Sequence, residues 1–354
     1  ELFNLMQNSK AKLLFYAPVE KKYLKNWEFY KSDIDTLKKI TQLKVTNTFF
    51  QFLKYFHHND YIYCVWWARS LPVILISKIF RKKVFCTGAI HFEDKSGEQI
   101  WNNSSILKKI TNYLSLKLCD KNIFVSQFQQ DQFKKHLNIT NGFLIKLKFS
   151  MRLDKIKDKI KNKIKKKNKK KKLILTSILW HTRSSYKRKG FYEALDAIEK
   201  LNKTNINFEF NVIGGDGDGL NKLQELLNKK KLKEVVKVYV NSSFNEKVKI
   251  LKQTHLYIQP SYCESFGYAV LEASACSTLS LISKNNALRE IINEFGFITK
   301  EINSQSIYYS ILNYYKMNLK DEKLMNSRLQ KHVRKNYSMF KHKIEIQNLL
   351  KSVH

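Results

Sequence analysis

Residues 259–283 read QPSYCESFGYAVLEASACSTLSLIS. The run that enters this stretch, HLYIQPS (255–261), has the length and aromatic and β-branched content of a strand and stops at Pro260. FGYAVLEASAC reads as a helix starting near Phe266, and TLSLIS (278–283) as the next strand. A strand, a helix and a second strand in that order point to a parallel sheet covered by helices. The stretch also holds a chemical anomaly. From Ser265 to Ser283 the single charged residue is Glu272, set among Ala, Val, Leu and Cys. Leaving an ionised carboxylate buried and unpaired costs several kcal/mol, so this acid is expected to serve a ligand.

The same alternation extends outward. Upstream in this half, KLILTSIL (172–179), FEFNVIGG (208–215) and VVKVYV (235–240) read as strands, with KGFYEALDAIEKLNK (189–203) and GLNKLQELLNKKKL (219–232) as helices; ALREIINEF (287–295) adds a helix beyond. An earlier series places strands at 12–17, 44–49, 61–66, 83–89 and 121–126. Its helices fall at 29–41, 71–80 (with Pro72 in the first turn), 105–119 and 127–137. The expected fold is α/β: two Rossmann-like, doubly wound parallel-sheet domains facing across a cleft, where strand C-terminal ends bind ligands. The boundaries read as an N-terminal domain over 1–150, a lysine-rich linker over 151–172, a C-terminal domain over 173–335 and a helical end over 336–354.

Composition narrows the function. A chain of 354 residues, 43% hydrophobic, suits two folded domains. No apolar run is long enough to span a bilayer, and ELFNLMQNSK does not read as a secretory leader. Five scattered cysteines without a C-x-x-C fit a reducing compartment and argue against a disulfide framework or a structural zinc site. The formal charge is +35, yet only eight of the 65 basic residues are Arg. Base recognition leans on Arg and aromatic platforms, so no nucleic-acid partner is expected; anionic lipid or a phosphorylated substrate fits better. Twelve lysines crowd into residues 155–172. That segment reads either as a solvated, self-repelling linker or as a basic helix whose stripe of Leu153, Ile156, Ile160 and Ile164 lies on an anionic membrane.

Glu264 stands eight residues before Glu272. At a helical rise of about 1.5 Å per residue the two acids would sit about 12 Å apart on one broad side. Between them the backbone of Phe266, Gly267 and Tyr268 lies at the positive end of the helix dipole. Hydroxyls at both ends and a diphosphate in the middle would satisfy this layout, which is the form of a nucleotide-sugar. Arg183, Lys187, Arg188 and Lys189 supply cations from the loop after the 172–179 strand, and Gly190 allows a close approach there. Gly214 and Gly215 in NVIGGDG belong to a strand-to-helix turn near the base or to an ordinary turn.

Arg183 followed after five residues by Lys189-Gly190, then NVIGGDG and PSYCESFGYAVLEA, resembles family 4 of the retaining GT-B glycosyltransferases. The resemblance is strong from about 172 to 295 and architectural elsewhere. It implies that Arg183 and Lys189 bind the donor diphosphate, that Glu264 meets the hydroxyls of the transferred sugar, and that Glu272 meets the ribose. It also implies backbone contacts from 266–268, catalysis without a metal or resident cofactor, and a C-terminal segment that returns to the N-terminal, acceptor domain. His91 in TGAIHFED falls near the place of a family histidine beside the sugar. Three departures stand out: Ser277 and Leu279 replace the usual Gly and Pro, no glycine follows the first strand, and the His91 correspondence is loose.

The resulting expectation is a cytoplasmic enzyme, peripheral on the inner face of the plasma membrane. It would move a hexose from a nucleotide-sugar donor to a glycan or lipid-linked acceptor, with retention, in cell-envelope or exopolysaccharide synthesis. The alternative is a non-catalytic protein that keeps the fold to bind a nucleotide-sugar or a membrane surface.

Overall fold

A computed structural model describes residues 11–26, 28–92, 101–146, 168–284 and 287–353. The lysine-rich join with Leu153, Ile156, Ile160 and Ile164 lies outside them, as do the first ten residues and the 93–100 stretch that includes Glu93 and Asp94. The chain forms two compact units, the first holding Tyr337 onward together with the N-terminal residues and the second reaching Asn336.

In the first unit the order is β1 (Lys12–Tyr16), α1 (Lys21–Asn26), α2 (Glu28–Ile40), β2 (Gln42–Thr46), α3 (Phe49–Phe56) and β3 (Tyr61–Val65). It continues with α4 (Trp67–Ile79), β4 (Lys83–Thr87), α5 (Ile106–Leu118), β5 (Lys121–Phe124), α6 (Gln127–Leu137) and β6 (Gly142–Leu144). The strands pair in parallel in the order β2-β1-β3-β4-β5-β6. Alternation along β1 sorts its side chains between two cores. Leu14 and Tyr16 join Phe52, Trp67, Val73, Leu116 and Phe133 from α3–α6. Leu13 and Phe15 join Tyr30, Ile34 and Leu37 of α2 on the opposite face.

The second unit runs β7 (Leu173–Ile178), α7 (Arg183–Arg188), α8 (Phe191–Asn202), β8 (Phe208–Gly214), α9 (Leu220–Lys229), β9 (Val236–Val240) and α10 (Phe244–Gln253). Then come β10 (Leu256–Gln259), α11 (Tyr268–Ala275), β11 (Leu279–Ser283), α12 (Leu288–Ile292), β12 (Phe297–Thr299), α13 (Ser304–Lys316) and α14 (Leu319–Asn336). Its parallel sheet is ordered β12-β11-β10-β7-β8-β9, the doubly wound arrangement. The winding reverses between β7 and β10 here, and between β1 and β3 in the first unit. Such switch points leave a crevice at the strand C-terminal ends.

The last helix, α15 (Met339–Lys351), packs Ile346 and Leu349 into the α2-side core of the first unit. Its buried His342 places Nε2 3.0 Å from Asp33 Oδ1, and the Tyr63 hydroxyl donates to the other oxygen at 2.7 Å.

Three local readings change. Helix α4 starts at Trp67, so Pro72 is its sixth residue and not in its first turn. Residues 49–56, to which the sequence assigns no helix, form α3, started by the Thr48 hydroxyl accepting from the Gln51 amide. α11 starts at Tyr268, after Gly267 at φ +102°. Glu264 is therefore not on the helix, and the 12 Å axial estimate does not apply.

Candidate active site

The β7/β10 switch point brings Glu264 and Lys189 together. Glu264 follows β10 and α7 follows β7, so both arrive at the same sheet edge. The Glu264 Oε1 atom accepts from Gln259 Nε2 at 3.0 Å and from Arg188 Nη1 at 3.0 Å. Lys189 Nζ stands 3.5 Å from the same oxygen and donates to the Ile178 carbonyl at 3.3 Å. The Tyr257 hydroxyl donates to Gln259 Oε1 at 2.6 Å, which fixes which end of that amide faces Glu264. Each group is thereby oriented by another, the arrangement that holds a site in place before a ligand arrives.

Gly190 makes this possible. At φ +61° it lies in the left-handed region, and a Cβ there would fall 2.3 Å from the Pro260 carbonyl oxygen. No other residue lets the α7–α8 junction approach the β10 exit so closely.

Burial pushes the Lys189 ammonium below the ordinary lysine value, opposed by the nearby Glu264 and, more weakly, Glu272. Lys189 thus feels both acids of the quoted stretch. Glu272 itself is buried at 5% exposure, as its apolar neighbours require, but it is not unpaired. Lys247 of α10 places its Nζ 2.5 Å from Glu272 Oε1. This partner corrects the premise of a lone acid. No local signal in the sequence marks Lys247 among so many lysines; only the packing of α10 against α11 selects it.

Arg183 lies elsewhere on the same rim. It is the first residue of α7, exposed, with its backbone N–H donating to Asp218 Oδ1 at 3.1 Å. Arg188, the residue before Lys189, is the guanidinium that reaches Glu264. Gly214 and Gly215 end β8 beside the β7 exit: a Cβ at Gly214 would meet the Leu179 carbonyl at 2.0 Å, and one at Gly215 the Trp180 ring at 2.2 Å. Phe266 is buried, and a Cβ on Gly267 would collide with Leu288 at 2.0 Å. Tyr268 opens α11. His91 belongs to the first unit, where it follows β4, is nearly buried, and accepts from the Trp101 amide at 2.7 Å through its carbonyl.

The two remaining departures are structural. Ser277 sits at φ +60°, the conformation a glycine adopts without cost, and its hydroxyl accepts from Gln330. Where a glycine-rich loop would follow β1, the chain turns into α1. Among the described residues no group of three or more His, Cys, Asp or Glu is placed to hold a metal ion.

The family model for glycosyl transferases group 1 matches residues 156–332, half of the chain, and spans every charged residue just described at the second switch point. The chain belongs to this family. Solved structures agree over nearly its whole length. A glycosyltransferase from Rickettsia africae aligns at TM-score 0.71 and 16% identity, covering 98% of this chain and 99% of that one. Sucrose-phosphate synthase from Thermosynechococcus elongatus aligns at TM-score 0.75 and 12% identity, covering 97% and 99%. Anabaena HepE, crystallised with UDP and glucose, aligns at TM-score 0.71 and 16% identity, covering 96% and 100%. At such identities the likeness establishes the fold, which is GT-B with two Rossmann-like domains. A search of curated protein sequences finds no match. The protein is thus a GT-B glycosyltransferase by family and by architecture.

Proposed function

We propose that this glycosyltransferase moves a hexose from a nucleotide-sugar to a glycan or lipid-linked acceptor, with retention of anomeric configuration and without a metal. The observation that carries the reading is the Glu264–Lys189–Arg188 cluster at the β7/β10 switch point. Two cations beside a carboxylate at a parallel-sheet edge suit a ligand with a diphosphate next to sugar hydroxyls. In this reading Lys189 and Arg188 turn from Glu264 to the diphosphate, with Arg183 on the outer rim. Glu264, held by Gln259, then accepts from the sugar hydroxyls. Glu272, held by Lys247, accepts from the ribose hydroxyls, and the first turn of α11, after Phe266 and Gly267, faces the phosphates. Gly214 and Gly215 border the base. His91 and the first unit serve the acceptor. The complex of HepE with UDP and glucose supports a donor of this class. A cell-envelope or exopolysaccharide acceptor, reached in the cytoplasm at the plasma membrane, completes the proposal.

The test combines binding and turnover. Thermal melts with UDP-, GDP- and ADP-sugars should single out one nucleotide, with a gain of about 2.7 kcal/mol at a hundred times its Kd. With that donor, Glu264→Gln should retain binding and lower transfer or slow donor hydrolysis about 10²–10³-fold. Binding without any turnover in the wild type would favour a donor-binding protein that keeps the fold.

A further inference from the structure

Exposed large apolar side chains are unevenly distributed over this molecule. Ten of the eighteen among the described residues belong to three consecutive helices of one layer or to the residue that caps one of them: Phe50 and Leu53 on α3, Leu75, Ile79 and Phe80 on or just after α4, and Ile106, Leu107, Ile110, Tyr113 and Leu114 on α5. The inner faces of these helices are already used, since Phe52, Val73, Ile74 and Leu116 fill the sheet-side core. The exposed set is therefore a second, outward apolar face. On α5 it has helical period, at positions 106, 107, 110, 113 and 114, with Ile106 and Leu107 exposed by 75% and 72%. Isolated exposed leucines need no explanation, but five exposed apolar residues at helical period on one helix do. The layer is joined: α4 packs on α5 through the Ser115 hydroxyl donating to the Trp67 carbonyl, and the Phe56 and Phe80 rings meet at 5.4 Å.

Charge selects the occupant. Helices α3, α4 and α5 contain no Asp or Glu, whereas α2 behind the sheet carries Asp33 and Asp35. Lys54 lies on α3, and Lys108, Lys109 and Lys117 lie on α5 with the apolar set, and among the described residues no ion pair joins them to an acid. Among the described residues, Asp60 and Asp120 sit at the strand-entry end of this layer, paired with Lys82 at 3.9 Å and Lys78 at 2.9 Å respectively. A second copy of this chain docked here would bring lysine against lysine. A surface of negative charge over hydrocarbon complements both parts, the apolar side chains entering and the lysines remaining at the head groups.

We propose that the outer face of α3–α5, led by Ile106, Leu107 and Ile110 with Lys108 and Lys109, docks on an anionic lipid bilayer. This contact is separate from the lysine-rich 155–172 segment and does not depend on the identity of the sugar donor. The full chain should float with phosphatidylcholine vesicles containing about one-third phosphatidylglycerol, and weakly or not at all with phosphatidylcholine alone. The combined variant Ile106→Ser, Leu107→Ser, Ile110→Ser should lose at least about tenfold in vesicle partition at an unchanged melting temperature, because these side chains are exposed. Lys108→Ala with Lys109→Ala should lose about thirtyfold on the anionic vesicles and little on neutral ones. The proposal is overturned if the wild type does not float with anionic vesicles. It is equally overturned if the serine variant floats as well as the wild type, which would move the contact to the 155–172 lysines. A concentration-dependent dimer that the serine variant abolishes, without lipid binding, would replace the bilayer with a second copy.

Discussion

At the switch point of the first sheet, the Trp66 indole stacks on Phe29 at 5.5 Å between ring centres and donates to the Tyr30 hydroxyl at 2.9 Å. At that of the second, Arg188, Lys189, Gln259 and Glu264 form an interlocked ionic cluster. Both places are strand ends where a parallel sheet reverses its winding, and both hold a residue at positive φ, Trp66 at +71° and Gly190 at +61°. The difference lies in what each can offer a ligand. Aromatic packing sets a loop's shape without fixed charge, whereas the ionic cluster holds cations and an acid that a charged ligand can repartition. One architecture thus supports two chemistries, and the chemistry depends on a few residues after each strand.

Four measurements would break or sharpen this contrast. The largest effect is expected at Glu272. Replacing it by Ala strands the Lys247 ammonium, so stability should fall by about 3 kcal/mol and donor affinity by at least about tenfold. Adding Lys247→Met should recover most of the stability but not the affinity, as denaturant melts and donor titration would report; recovery of neither would mean that the pair is not the cause. At the aromatic switch point, Trp66→Ala should cost about 2 kcal/mol yet leave the donor Kd unchanged. A weakened donor Kd there would erase the distinction between the two places.

The third concerns pH. Because the folded-state value of Lys189 is lowered, the unfolded chain binds more protons than the folded chain between that value and the ordinary 10.5. Stability of the wild type relative to Lys189→Met should therefore rise with pH across that window and be flat below it, where both states are protonated. A slope of the opposite sign would show that Glu264 outweighs burial. The smallest effect is expected from Ser277→Gly, which should stabilise by about 0.5 kcal/mol. It removes a left-handed backbone cost of about 1 kcal/mol and gives back part as chain entropy and the Gln330 contact.

Much of the fold can be read from periodicity. The β-branched and aromatic runs at 61–65, 83–87, 173–178 and 208–214 are strands because buried parallel strands need both faces apolar. FFQFLKYF at 49–56 defeats that reading: its composition suits a strand, and it becomes a helix through the Thr48 cap and the packing of Phe52 and Phe56 beneath it. The site divides similarly. Glu272 is legible because an acid in hydrocarbon violates a local preference, and the cations of the 183–189 loop with Gly190 are legible from their place after a strand. That Arg188 is the one of them to reach Glu264, and that Lys247 pairs with Glu272, are not legible, since a cation in a lysine-rich chain violates nothing. Their roles arise from approaches between residues 76 and 25 positions apart.

By itself, then, the amino-acid order determined two parallel α/β sheets and an acid in an apolar helix, because alternation and burial act over a few neighbouring residues. Tertiary structure alone decided which cations meet which acids and which helices keep a second apolar face outward. Electrostatic pairing and exposure are properties of distance in space, and separation along the chain does not encode them.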